Sequence, residues 1–225
     1  MTINLKPGST VMFTGDSITD LWRPPGEDRC GYPLLIAGEW CFRHPGCPVT
    51  WLNSGHAGDK AMDLEARWQA DVLDAEPDVV SILVGVNDMG WHTLDPRGRV
   101  IPVEEFAACY DRLLAPLASR GTELVLIEPF LVPVKGVVER VLHGVDGERV
   151  VVIDDAVREE WRFDLDAKIR VVRELAGEYG AQLLAADRMF GSLVGEDPGR
   201  WSDDGIHPTP AGHGALADAW LRLVG

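Results

Sequence analysis

Five short apolar runs constrain this chain more than any other feature. Thr10 to Thr14, Val49 to Leu52, Val79 to Val84, Glu123 to Ile127 and Gln182 to Ala185 stop at or just before Gly15, Asn53-Ser54-Gly55, Gly85, Pro129 and Asp187. Runs that do not alternate with polar residues suit parallel strands covered on both faces. Helical stripes lie between them. Leu64, Trp68 and Val72 recur every fourth residue; Phe106, Tyr110, Leu113, Leu114 and Leu117 form a second stripe with Pro102 near its start. Leu165, Ile169, Val172, Leu175 and Tyr179 form a third, with Gly180 placed as its C′ residue, and Pro208 to Leu223 reads as a closing helix. Strands separated by helices predict an α/β fold, a doubly wound five-stranded parallel sheet with helices on both sides. Ligands of such sheets bind beyond the carboxyl ends of the strands. The polar segments Gly15-Asp16-Ser17, Asn53 to Asp59, Gly85 to Asp88 and Asp187 onward all follow strands, so one sheet edge should gather them.

One stretch stands outside this alternation. Residues 137–155 carry His143-Gly144 and Asp146-Gly147 between apolar runs, the pattern of an inserted β-hairpin with its tight turn at Asp146-Gly147. A lid, an oligomer contact and a decorative loop are all compatible with it. No linker-like composition or fixed-period repeat divides the 225 residues, so a single domain over 1–225 is expected. A formal net charge of −15 repels phosphate backbones and anionic surfaces, which argues against nucleic acid and membrane partners and favours a neutral substrate. Cys30, Cys41, Cys47 and Cys109 show no C-x-x-C spacing and read as free thiols, and no apolar leader follows Met1, which together point to the cytoplasm.

Four short segments carry candidate chemistry. Ser17 follows a strand directly, where a hydroxyl sits at the sheet edge and a backbone N–H can face developing negative charge; an N-cap serine is the plainer reading of the same position. His207 has Asp204 three residues before it, an offset that lets a carboxylate hold one ring nitrogen while the other faces a serine. Asp203 competes for that role, and spacing alone does not choose. Asn87 can aim a side-chain amide into the site or close an Asx-turn, and Gly58 can present its N–H or simply turn the chain.

As a set, Gly15-Asp16-Ser17-Ile18, the Gly58 turn, Gly85-Val86-Asn87-Asp88 and Asp204-Gly205-Ile206-His207 resemble the blocks of the SGNH hydrolases, also called GDSL-type esterases, in the same order over nearly the whole chain. The resemblance implies Ser17 as nucleophile, His207 as base and Asp204 as its partner, with Ser17 N–H, Gly58 N–H and the Asn87 side chain as the oxyanion hole. It also implies a flavodoxin-like three-layer α/β/α sandwich and no metal or organic cofactor. A narrower resemblance, to the intracellular acetylxylan esterases of that family, rests on Thr14 to Asp20, Ala66-Arg67-Trp68 with Asp71-Val72, Pro77 to Ile82, and His207-Pro208 with Ala211-Gly212-His213. It implies removal of acetyl groups from xylo-oligosaccharides and a homo-oligomer. The 137–155 insertion departs from that pattern.

Trp22, Trp91 and Trp201 lie close to the motif blocks, and their flat faces suit sugar rings or an acyl chain, or else pack loops onto the core. Asp16 and Arg67 are further substrate-binding candidates, while Arg23, His56 and His92 are weaker ones and His44 and His213 read as structural. There is no G-x-S-x-G elbow, H-E-x-x-H, phosphate-binding loop or zinc-type Cys/His cluster. The expected activity is hydrolysis of a small acyl ester, most simply an acetylated sugar. A lysophospholipase or thioesterase acting on longer chains is the rival enzyme, and a non-catalytic carbohydrate-binding relative the rival of another class.

Overall fold

The computed structural model describes residues 2–20, 31–89, 100–144, 147–195 and 197–224. Strands β1 (Thr10–Gly15), β2 (Thr50–Asn53), β3 (Val79–Leu83), β4 (Glu123–Ile127) and β7 (Gln182–Leu184) form one parallel sheet in the order β2-β1-β3-β4-β7. These are the five apolar runs, with ends shifted by a residue. All five residues of β3 are buried, as a central strand covered on both faces requires.

Helices α1 (Tyr32–Arg43) and α6 (Pro210–Leu221) pack together on one face of the sheet, and α2 (Ala61–Trp68) and α3 (Val103–Ser119) on the other; α4 (Asp155–Glu178) gives Trp161, Leu165 and Ile169 to the first half of the core and Val172 and Leu175 to the second. The result is the expected three-layer sandwich. Its core divides accordingly. Val11, Phe13, Val79 and Val125 point into one half with Trp40, Leu216 and Trp220, while Met12, Val80, Ile82 and Leu126 point into the other with Leu64, Phe106 and Leu113. Two buried indoles tie layers together: Trp220 donates to Ser81 Oγ at 3.1 Å, and Trp68 donates to Leu113 O at 3.0 Å.

Local signals explain most helix ends. Asp154 accepts from Val157 N at the start of α4, Thr209 accepts from Gly212 N before Pro210 in α6, and Gly180 takes φ +62° just past α4. The stripe Leu64–Trp68–Val72 is helical throughout, but α2 loosens into a π-helical turn over Gln69–Leu73. Two helices lack an expectation from sequence, α1 and α5 (Ala186–Leu193); α1 starts after Gly31 with no side-chain cap, and α5 is only 8 residues long.

Strands β5 (Val138–Gly144) and β6 (Gly147–Ile153) pair antiparallel, with Val141 opposite Val150 and Gly144 opposite Gly147. Gly147 therefore belongs to the ladder; Asp146, the other half of the expected turn, lies outside the described residues.

The sheet's strand order reverses between β1 and β3, the switch point at which such folds open a crevice. Backbone closeness there is extreme. A Cβ added at Gly15 (φ +152°) would stand 2.0 Å from Leu83 O. Gly180 also has positive φ, but nothing lies within 4 Å of its Cβ position. Gly15→Ala should therefore cost well over the ~1–2 kcal/mol that left-handed strain alone costs at Gly180→Ala. Urea unfolding of both variants checks this; equal losses would show that the strands separate without penalty.

Candidate active site

The segments after β1, β2 and β3 meet at the switch point. Asp16 O accepts from Thr19 N at 3.0 Å and Asp20 N at 2.9 Å, making a tight turn with half-buried Ser17 at its head. The loop after β2 is lashed to that turn. Asn53 Nδ2 donates to Thr19 O at 2.7 Å, His56 N to Gly15 O at 2.9 Å, and Ala57 N to Asp20 Oδ2 at 3.1 Å. Gly58 follows with φ +88°. Asn87 opens a short 3₁₀ turn after β3 and is buried, and its Nδ2 donates to Asp59 O at 2.8 Å. This bond fastens the Asn87 turn to the Gly58-Asp59 turn. The neighbouring Asp88 accepts from Ala61 N through both oxygens at 3.3 Å, where a carboxylate complements the start of α2.

His207 arrives from the other side, in the turn before α6. Its Nε2 lies 3.1 Å from Ser17 Oγ and its Nδ1 2.8 Å from Asp204 Oδ2. With Nδ1–H given to the carboxylate, Nε2 carries the lone pair, and the Ser17 hydroxyl is the donor. Asp204 is 2% exposed. Its other oxygen accepts from Ile206 N at 2.9 Å and His207 N at 2.8 Å, so the turn wraps around its own carboxylate. Ser202 Oγ sits 3.2 Å from Asp204 Oδ1, accepts from Gly205 N and donates to His207 O. Asp203 is exposed and makes none of these bonds, which decides between the two aspartates.

Ser17, His207 and Asp204 are thus one hydrogen-bonded chain, and Gly58 and Asn87 stand on joined turns beside it. The other candidates fare differently. Asp16 is 1% exposed and withdrawn from any ligand at the surface. Arg67 is a brace rather than a free anchor, because it donates to Asp59 Oδ2 at 2.8 Å, to Asp71 Oδ2 at 2.6 Å and to Gly15 O at 3.5 Å. Trp201 gives its indole N–H to Leu193 O, leaving only its ring to a ligand, and Arg200 already lies 5.1 Å over that ring. Trp22, Arg23, Trp91 and His92 lie outside the described residues. His213 is buried, with its Nδ1 accepting from Tyr32 N.

Four positioning groups escaped the sequence reading: Asn53, Asp20, Asp59 and Ser202. Only Asn53 left a signal, since Asn53-Ser54-Gly55 has the form of an Asx-turn and Gly55 N does donate to Asn53 Oδ1 at 2.8 Å. A cavity of about 500 Å³ lies against α4 and the 131–135 segment; of the turns described above, its described lining includes only Gly205. Among the described residues, no cluster of three or more His, Cys, Asp and Glu side chains is placed to hold a metal, and no helix is long and apolar enough to cross a membrane.

The sequence pattern of the GDSL-like lipase/acylhydrolase family matches residues 13–215. The chain is 28% identical to an acetylxylan esterase of Geobacillus stearothermophilus over 99% of its own length and 97% of the relative's. The crystal structure of that bacterium's acetylxylan esterase Axe2 superposes with a TM-score of 0.77 at 27% identity, covering 98% of this chain and 96% of the other. A GDSL-like lipase from Parabacteroides merdae superposes with a TM-score of 0.82 at 30% identity over 100% and 99% of the two chains. Axe2 has also been solved as catalytic mutants in which a serine or a histidine is replaced by alanine. The chain belongs to the GDSL-like lipase/acylhydrolase family and is a carboxylic ester hydrolase.

Proposed function

We propose that the protein removes acetyl groups from acetylated sugars such as xylo-oligosaccharides, through an acyl-enzyme formed on Ser17. The observation that carries the reading is the unbroken Ser17–His207–Asp204 hydrogen-bond chain, and the likeness to an acetylxylan esterase supports the substrate class. Ser17 Oγ attacks the acetyl carbonyl carbon while its proton passes to His207 Nε2. Asp204, held by two backbone N–H groups, stays charged beside the imidazolium and fixes its orientation. The oxyanion rests on Ser17 N–H, Gly58 N–H and the side-chain amide of Asn87. The carbon–oxygen bond to the sugar then breaks as Nε2 returns the proton to the leaving hydroxyl. Water repeats the sequence on the acetyl-serine and releases acetate.

The β5–β6 ribbon adds a second element to this reading. Val137 is 67% exposed, Val150 63% and Val152 50%. A lone two-stranded ribbon is marginal by itself, and valines on its open face favour assembly of the protein into a homo-oligomer.

Three outcomes follow. Wild-type enzyme should release acetate from peracetylated xylobiose and folded Ser17→Ala should not; Ser17-dependent cleavage of nitrophenyl acetate without sugar deacetylation would keep the serine esterase and discard the sugar. Asn87→Ala should lose about two to three orders of magnitude in kcat, the usual worth of one oxyanion donor, and near-normal turnover would remove Asn87 from the mechanism. Light scattering on the eluting protein should report a multiple of the 24.7 kDa chain that falls in a Val150→Asp/Val152→Asp variant; a wild-type monomer would contradict the assembly.

A further inference from the structure

Asp16 stands immediately before the proposed nucleophile, yet its side chain is withdrawn from solvent. It is 1% exposed. Oδ1 accepts from Ile18 N at 3.0 Å, and Oδ2 is buried with no hydrogen-bond partner. A carboxylate in such a place lacks the two or three donors that stabilise its charge, whereas a carboxylic acid leaves only one weak group unpaired.

The surrounding charges sharpen the contrast. From the loop after β2 comes Asp59, and from the turn after β3 comes Asp88; both repel a negative charge at Asp16. Arg67 on α2 is held by Asp59, Asp71 and Gly15 O. Lys60 and Lys168 act on Asp88, and the buried Lys168 ammonium is paired with Asp164 of α4. On α1, Tyr32 is a buried phenol bonded to Thr19 Oγ1 at 3.1 Å, and burial keeps it protonated. Asp20, in the same turn as Ser17, is occupied with Ala57 N. His207 faces Ser17 from the turn before α6. No element offers Asp16 a counter-ion among the described residues.

We propose that Asp16 is a positioning residue that works as a neutral carboxylic acid, and that the loss of its proton is what shuts the oxyanion hole at alkaline pH. Burial, with Asp88 and Asp59 adding to it, pushes the acid up to about 8. Below that pH Asp16 adds no charge to the turn carrying Ser17 N–H, whose N–H dipoles can face an oxyanion. Above it, an anion stands one residue from the forming oxyanion. Like charges about 6 Å apart at an effective dielectric constant of about 20 slow such a step on the order of a hundredfold. The sign is opposite to that of an ordinary catalytic carboxylate: activity is present while Asp16 is protonated and falls as pH rises through about 8. The effect on rate rests on the proposed role of Ser17; the protonation of Asp16 does not.

The test replaces Asp16 with its neutral isostere, which keeps an oxygen for Ile18 N. Wild-type kcat/KM for nitrophenyl acetate, corrected for spontaneous hydrolysis, should fall at least about tenfold between pH 7.5 and pH 9.5. In Asp16→Asn, whatever its level at pH 7.5, the ratio across that interval should stay within about twofold. A residue that only shapes the turn would leave the profile unmoved. A wild type with no alkaline fall, or an Asp16→Asn enzyme that keeps the fall, overturns the proposal. Carbon-13 NMR of wild type labelled at aspartate side-chain carboxyls reads protonation without activity and without the variant. One aspartate should titrate near pH 8, above Asp88 at about 7; no aspartate titrating above about pH 7.5 would overturn the proposal even where Ser17 proves to be the nucleophile.

Discussion

The close approach of β1 to β3 governs this molecule. Where Gly15 lies against Leu83 O there is no room for a side chain, and the two strands end side by side. That adjacency places the Ser17 turn next to the Asn87 turn. It also explains how the loop after β2 can bridge them: His56 N reaches Gly15 O, while Asp59 O receives Asn87. A larger residue at Gly15 would push apart the turns that carry Ser17 and Asn87. The last member, His207, is aligned from the opposite side by α6, whose Trp220 is anchored on Ser81 of the same β3. Packing of the central strands and geometry of the site are therefore one constraint.

Charge is handled in two distinct ways around this frame. Asp204 is buried but surrounded by donors, so it can remain an anion beside an imidazolium. Asp88 is buried with a helix start and with lysines in its field, and burial still pushes it up to about 7. Asp59 is raised by burial and held down in part by Arg67. Of these four aspartates, Asp16 has neither donors for both oxygens nor a cation among the described residues. In a chain with net charge −15, Arg67 braces the loops after β1 and β2 rather than neutralising Asp16.

The strands were legible because a parallel strand covered on both faces leaves a continuous apolar run, and the carboxyl-end rule then located the chemistry. The Ser17–His207–Asp204 hydrogen-bond chain was legible through its motifs, although Asp203 and Asp204 could be separated only by seeing which carboxylate the turn encloses. Burial was not legible. Asp16 and Arg67 look like ligand-facing polar residues until the fold shows one withdrawn beneath the turn and the other braced by two aspartates. Helix α1 was silent because Gly31 and Pro33 start it without a capping side chain, and its apolar residues Leu34, Leu35 and Ile36 run together instead of marking one face. Ser202 was silent because its part, clasping Gly205 N and His207 O, depends on a loop path that no local pattern encodes.

The central claim is that Ser17, made nucleophilic by His207, carries the acyl group. Treatment with a fluorophosphonate followed by peptide mass mapping tests it most directly. The account predicts a single covalent adduct on Ser17, formed rapidly in wild type and almost absent in a folded His207→Ala variant. An adduct on another serine, or labelling of Ser17 at the same rate without His207, would contradict it.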